Sequence, residues 1–290
     1  MDDKLIIEVR VNEYLMRDAN RNLPWTAAEI ARDAEACREA GAAIVHFHAR
    51  NDDGSPSHDP AEYAAAVRLI RQTSDMLVHP TLGFVTVAGD ADRIGPAKSL
   101  MRDPATRPDF APVDMGSMNI DTYDRVANTF RSKNKVYANS IETLEFFCRE
   151  LAAGGVKPAL VVWSVPGMRT VDAFMNLGIV ESPAFVTFVL SDTYIGAHPA
   201  TLPGLEAHLM FMPPGKKIHW SVICKGASLL PAAAVSIQRG GHVSIGLGDY
   251  AYPELGMPTN ADLVHEVAKI AAAAGRGLAT PAEARDILGM

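Results

Sequence analysis

Strand-like and helix-like segments alternate along the whole of this 290-residue chain, and no other feature restricts its fold as much. Short apolar runs at 5–12, 42–48, 77–80, 111–116, 158–163, 184–189, 217–223 and 242–247 read as strands. Thr26 and Glu29 form a capping box that opens a helix to about residue 40, where Gly41 stops it. Asp59-Pro60 with Glu62 opens a second helix, through about residue 71. Further helices are expected at 141–153, 170–177, 202–211, 228–238 and 261–274, and Thr280-Pro281-Ala282-Glu283 caps a short C-terminal one. The strand-like run 135–138 stands too close to its neighbours and reads as a strand within a loop. Eight strand–helix units in alternation imply parallel strands joined by right-handed crossovers. The expected fold is therefore α/β, a closed (β/α)8 TIM barrel spanning residues 1–290 as one domain. An open doubly wound sheet is the alternative, and it would need an edge and a topological switch point.

In a barrel of this kind the chemistry sits where the strands end and their loops converge. The second strand ends Ile44-Val45-His46-Phe47-His48-Ala49-Arg50. Side chains two apart on a strand point the same way, so His46 and His48 aim both imidazoles at one place. Neutral imidazole is the commonest protein ligand for zinc-type metals; the competing reading is a pair of core histidines bonded to backbone carbonyls. Asp249 lies just beyond strand eight, and Asn12 and Glu13 end strand one. Strand one is flanked by strands two and eight in a closed barrel, so these residues share one corner of the mouth. Two imidazoles and a carboxylate with an open position make the usual catalytic zinc site.

Composition narrows the partners. Hydrophobic residues make up 48% and charged residues 21%, enough for a large core. Net charge is −7 and no Lys/Arg cluster is interleaved with aromatics, which argues against nucleic acid. No apolar run is long enough to span a bilayer, so no membrane partner is expected. Met1-Asp2-Asp3-Lys4 leads straight into a strand without the apolar centre of a signal peptide. Cys37, Cys148 and Cys224 are widely spaced and form no paired framework, which fits a reducing cytoplasm.

Several blocks together resemble the beta-keto acid cleavage enzymes, typified by 3-keto-5-aminohexanoate cleavage enzyme. They are residues 40–50, Gly54-Ser55-Pro56-Ser57 with Asp59 and Tyr63, Gly116-Ser117-Met118-Asn119, and Gly240-Gly241-His242-Val243. The tail matches through residues 259–264, Gly275-Arg276 and residues 279–285. The resemblance implies a zinc-dependent TIM barrel that exchanges an acyl unit between a β-keto acid and acetyl-CoA, giving acetoacetate and a new acyl-CoA by a retro-Claisen-type reaction. It implies His46 and His48 as zinc ligands and Asp249 as general base. Ser117 matches a hydroxyl near the reacting centre, and the turn Thr81-Leu82-Gly83 matches a segment that holds substrate. A homo-oligomer, a tetramer in particular, is implied as well.

The chain also departs from that pattern. The family's eighth strand carries an arginine that orients the aspartate and a glutamate that is the third zinc ligand. Here Ser244 stands in place of the arginine and Gly248 in place of the glutamate. Strand five, Val161-Val162-Trp163-Ser164, lacks its expected acid, and Trp163 reads as packing. Strand one suggests a compensation: Arg10 can replace the arginine and Glu13 the ligand, the competing reading being that Glu13 begins a solvated loop while Glu8 and Arg10 pair structurally. His79 and Arg50 are further candidates for substrate binding, each with a purely structural alternative. Two other functions remain open, a metal-dependent amidohydrolase-like hydrolase and a non-catalytic metabolite-binding relative. The first normally carries histidines at the ends of middle strands, where this chain has Trp163-Ser164 and Leu190-Ser191.

Overall fold

The computed structural model describes residues 4–83, 89–124 and 126–290. Residues 1–3, the start of the segment bearing on the leader reading, lie outside them. Eight strands run parallel: β1 (Ile7–Arg10), β2 (Ile44–Phe47), β3 (Leu77–Pro80), β4 (Phe110–Asp114), β5 (Lys157–Val162), β6 (Ala184–Ser191), β7 (Ile218–Lys225) and β8 (His242–Ile245). Their order is β3-β2-β1-β8-β7-β6-β5-β4. The seam between β3 and β4 closes through Asp109, whose N–H donates to the Val78 carbonyl at 2.9 Å while its carboxylate accepts the Val78 N–H at 2.8 Å. The result is the (β/α)8 barrel, and the open doubly wound alternative falls because the sheet has no switch point.

Among the described residues the helices longer than a single turn are α1 (Ala27–Ala40), α2 (Pro60–Thr73), α3 (Gly95–Met101), α4 (Ile141–Ala153), α5 (Val165–Asn176), α6 (Leu202–Met210), α7 (Leu230–Gln238), α8 (Asn260–Ala273) and α9 (Pro281–Leu288). Both ends of α1 follow from local chemistry: the Thr26–Glu29 capping box is formed, and Gly41 takes the left-handed conformation at φ 113° that closes the helix. Sequence reading named no helix between β3 and β4, where α3 stands. It also began α5 five residues late, because Pro166 occupies the first turn, where proline is tolerated, instead of breaking the helix. The strand at residues 135–138 is a loop strand, Val136–Tyr137 paired antiparallel with Met118–Asn119.

The barrel interior is layered. At the bottom Ile6, Ile44, Leu77, Phe110, Ala159 and Phe185 form an apolar cluster that Ala284, Ile287 and Leu288 of α9 pack against. Burying each large side chain there contributes about 1.5–3 kcal/mol. Above it lies a polar layer, buried Glu8, His46, His79 and Ser244, and above that the mouth. No helix among the described residues is long and apolar enough to cross a membrane.

Candidate active site

A cavity of about 130 Å³ opens at the C-terminal ends of the strands. Arg10 and Glu13 enter it from the end of β1, His46 and His48 from β2, and Thr81 and Gly83 from the turn after β3. Asp114 ends β4, Trp163 follows β5, and Lys225 ends β7. Tyr14, Ile120, Tyr137 and Tyr194 reach it from loops.

The alternation of β2 delivers the histidine pair as expected, with ring centroids 5.2 Å apart. Nε2 of His46 and of His48 lie 3.7 and 4.0 Å from Glu13 Oε1. The mutual placement depends on Asn12, whose side chain accepts the His48 N–H at 2.8 Å and donates to the Pro24 carbonyl at 2.8 Å. Burial, reinforced by the positive charges of Arg10 and Lys225, holds both imidazoles well below the ordinary histidine range. They are therefore neutral, the form that ligates metal. Among the described residues neither ring nitrogen of His46 has a hydrogen-bond partner, although both are buried. The ligand atoms of Glu13, His46 and His48 all lie within 4.8 Å of one another. Two neutral imidazoles and one carboxylate, with His46 unsatisfied by the protein, fit a zinc-type ion that keeps one position for substrate.

Around this group two cations and two carboxylates form a closed quartet. Asp249 Oδ2 accepts from Arg10 Nε at 2.8 Å and Oδ1 from Lys225 Nζ at 2.6 Å. Glu13 pairs with the same two cations, Oε1 with Arg10 and Oε2 with Lys225. All four side chains are nearly buried, a placement that is costly for an unpaired charge. The chain can cross here because Gly246 and Gly248 carry no side chain. A Cβ on Gly246 would lie 2.0 Å from the Arg10 carbonyl oxygen, and one on Gly248 2.6 Å from the Asn12 carbonyl carbon. Close backbone approach, and not a phosphate loop, accounts for both glycines.

Beneath the quartet, Glu8 accepts from His79 Nδ1 at 2.5 Å and from the Ser244 hydroxyl at 2.5 Å. Burial would raise the Glu8 carboxyl, but the His79 charge and hydrogen bond, with Arg10 and Ser244, outweigh it and hold it below its ordinary value. Glu8, His46 and His79 form a second group with ligand atoms within 4.8 Å. Neither Glu8 nor His79 lines the cavity, so an ion in this group would have no position open to substrate, unlike one at the mouth.

The sequence candidates thus divide. Arg10, Glu13, His46, His48, Thr81 and Gly83 line the cavity, and Asp249 stands directly behind it. His79 sits one layer lower against Glu8 and does not line the cavity. Arg50 is buried and donates to the backbone carbonyls of Glu13 and Gly54, clamping the loop after β2. Ser117 exchanges hydrogen bonds with the Asn139 backbone at 2.7 and 3.1 Å and is likewise outside the lining. Trp163, read as packing, is a cavity wall whose Nε1 donates to Asp114 Oδ1 at 2.6 Å. Lys225 and Asp114 escaped the sequence reading. Lys225 had a signal: extending strand seven by two residues puts it on the face of Ser221 and Ile223.

A family model described as beta-keto acid cleavage enzyme matches residues 4–290. The chain is 29% identical to a 3-keto-5-aminohexanoate cleavage enzyme of Fusobacterium nucleatum over 298 residues, covering 100% of this chain and 99% of that protein. It is 28% identical to a 3,5-dioxohexanoate:acetyl-CoA acetone transferase of Paraburkholderia graminis, covering 92% and 89%. It is 27% identical to a 3-oxoadipate:acetyl-CoA acetyltransferase of Cupriavidus necator, covering 100% and 96%. Among solved structures, the apo structure of ObcA superposes with a TM-score of 0.69 at 15% identity, over 92% of this chain and 65% of that one. That likeness carries the fold alone.

Proposed function

Because the chain belongs to the beta-keto acid cleavage enzyme family, we propose that it cleaves a β-keto acid by acyl exchange with acetyl-CoA, giving acetoacetate and a new acyl-CoA, with zinc held by His46, His48 and Glu13. The observation that carries this reading is the convergence of two neutral imidazoles and the Glu13 carboxylate on one point of the mouth cavity. Support comes from the names of the relatives, several of which join a keto acid to acetyl-CoA. When bound, the ion supplies Lewis acidity that polarises the keto oxygen.

The protein's own groups do the rest. Asp249, fixed at both oxygens by Arg10 and Lys225 directly behind the cavity, is the general base that takes the proton whose removal starts carbon–carbon cleavage. Arg10 and Lys225 position Asp249 and Glu13 together, so that base and ligand keep a fixed separation. Thr81 and Gly83 hold the substrate at the rim; the Thr81 N–H donates to the Phe47 carbonyl at 3.1 Å, which ties the start of the turn to β2. The cavity is well below the ~300 Å³ at which pockets for drug-sized ligands begin, which suits a small acid with the coenzyme reaching in from outside.

Elemental analysis of protein purified without chelator, with acetoacetate formation from acetyl-CoA and a panel of β-keto acids, tests this. Close to one zinc per chain with acetyl-CoA-dependent acetoacetate is expected, and Glu13→Gln should lower zinc affinity at least tenfold. Little transition metal in the native protein, or an unchanged affinity in Glu13→Gln, would overturn the ligand assignment.

A further inference from the structure

A second cleft, of about 480 Å³, opens at the other end of the barrel. It is bordered by residues that begin strands: Asp109 directly before β4, Lys157 at the start of β5 and Ala184 at the start of β6. It shares no lining residue with the mouth cavity. Its volume falls in the range of roughly 300–1,000 Å³ that small-molecule pockets occupy.

The charge of this cleft runs against that of the chain, whose net charge is −7. Arg71, Arg107, Lys157 and Arg285 line it, against the side-chain carboxylates of Asp109 and Glu181. Even with a main-chain carboxylate at Met290 counted, the cations remain in excess. Asp109 is buried and accepts from Arg285 Nη2 at 2.5 Å and from Arg71 Nη2 at 3.2 Å. Arg71 Nη2 also donates to the Arg107 carbonyl at 2.7 Å. Each guanidinium is thus pinned through one nitrogen, and its Nε and Nη1 have no partner among the described residues. The side chains of Arg107 and Lys157 make no hydrogen bond or ion pair among those residues either. Arg107 lies over the turn before Lys157, its Nη1 3.8 Å from the place of a Cβ on Gly155. Lys157 is half-buried, and burial holds its ammonium below the ordinary lysine range, with Glu181 offsetting part of the effect. Glu181 itself is exposed, where solvent screens it.

The remaining walls are apolar, Pro104, Pro108, Pro158, Val156 and Ile179 among them. Prolines offer no backbone N–H, so polar recognition here falls to the four cations. Guanidinium forks match the geometry of phosphate oxygens. A phosphoryl group brings three acceptor oxygens and about 1.5–2 negative charges, enough to engage several cations at once.

We infer that this cleft is a second ligand site, remote from the catalytic mouth, for a phosphate monoester. Its phosphoryl group lies among Arg71, Arg285, Arg107 and Lys157, and its organic body lies against the prolines, Val156 and Ile179. A ligand so held ties α2, α9 and the start of β5 together beside the barrel seam, and therefore stabilises the fold.

Phenyl phosphate and benzenesulfonate test this, because they share a ring and differ in charge, about two against one near pH 8. The protein, purified without chelator, is titrated calorimetrically with each probe and with inorganic phosphate at constant ionic strength. Phenyl phosphate should bind about tenfold tighter than benzenesulfonate, as expected for added charge-assisted hydrogen bonds, and tighter than inorganic phosphate; it should also raise the thermal midpoint. In the double variant Arg107→Gln, Lys157→Met its affinity should fall about tenfold or more. Neither side chain takes part in the seam bonds of Asp109, so the variant keeps the fold. No saturable binding, or equal binding of the two ring probes, overturns the inference and needs no variant. An unchanged affinity in the double variant also overturns it, because the phosphate would then be held elsewhere, at the mouth metal included. Inorganic phosphate binding as tightly as phenyl phosphate would overturn the assignment of an organic body. None of these outcomes depends on acetoacetate formation, so the site and the cleavage reading stand or fall separately.

Discussion

Gly248→Ala should damage this protein out of proportion to its size. An added Cβ would lie 2.6 Å from the Asn12 carbonyl carbon, 2.8 Å from its oxygen and 2.9 Å from Glu13 N. The Asn12–Glu13 peptide would have to retreat by about 0.4 Å to escape the forbidden range, and by roughly 0.8 Å for ordinary contact. It is not free to do so. Asn12 is tied to His48 N and to the Pro24 carbonyl at 2.8 Å each, the Gly248 N–H donates to the Arg10 carbonyl at 3.1 Å, and Arg50 holds the Glu13 carbonyl. Forcing a methyl group into such a place costs about 1–3 kcal/mol. The same displacement moves Glu13 against the histidines, so zinc affinity should fall by about 10–100-fold, as for lost support around a metal ligand. Urea unfolding and a competitive zinc titration measure the two effects. Gly277→Ala is the control: its Cβ meets nothing within 4 Å, and it should be neutral or gain a few tenths of a kcal/mol. A Gly248→Ala protein as stable as the control, with unchanged zinc affinity, would refute the crowding argument.

The barrel seam offers a second test. Asp109→Asn weakens the grip on the Val78 N–H and on Arg71 and Arg285, and should cost about 1.5–3 kcal/mol, with amide exchange quickened first at Val78. Glu8→Leu strips the acceptor from buried His79 and Ser244 and should cost about 3–5 kcal/mol in urea unfolding; a change under 1 kcal/mol would mean the layer repacks freely. Burial, offset in part by a 2.6 Å hydrogen bond from Asn260, pushes Asp33 up to about 7. Its folded value lies above the unfolded one, so the stability it confers is complete below about pH 4 and is lost as pH rises toward 7. Asp33→Asn should therefore be neutral at pH 4 and stabilise by ~2 kcal/mol at pH 8, discounted for partial exposure. Equal effects at the two pH values would show that Asp33 is not protonated in the fold.

How much was legible in the chain varied with the range of the forces involved. The strand–helix alternation needs only local periodicity and caps, and it led directly to the barrel. Strand period and strand-end position were enough to bring Arg10, Glu13, His46, His48 and Asp249 into one corner. Lys225 was hidden by a strand boundary placed two residues short, the commonest error of pattern reading. Tyr137 and Tyr194 could not be placed from sequence at all. They arrive through loop pairings, Met118 against Tyr137 and Thr122 against Tyr194, which are contacts between remote segments with no local signature. Helix α3 was lost behind its Gly-Pro start, where the proline belongs to the first turn.

The site is better understood as one coupled exchange than as a family pattern with two residues missing. In the pattern that the resemblance carries, an arginine, a glutamate and an aspartate all come from strand eight. Here Asp249 keeps its place, while the cation and the second carboxylate beside it are Arg10 and Glu13 of strand one. The two strands are neighbours in register, Glu8 opposite Ser244 and Val9 opposite Ile245, so one corner of the barrel can be charged from either side. It cannot be charged from both. The space of a residue-248 side chain is filled by the Asn12–Glu13 backbone, and Lys225 with Arg10 already balances two carboxylates. Putting glutamate back at position 248 alone would add both a clash and a third acid to a buried quartet of two and two, with a repulsion that has no solvent to screen it. Only a chain that gave up Glu13 at the same time, and relaxed the end of strand one, could accept it. The glycine, the serine and the strand-one charges therefore form a single substitution unit, and a single change toward the commoner pattern should be worse than none.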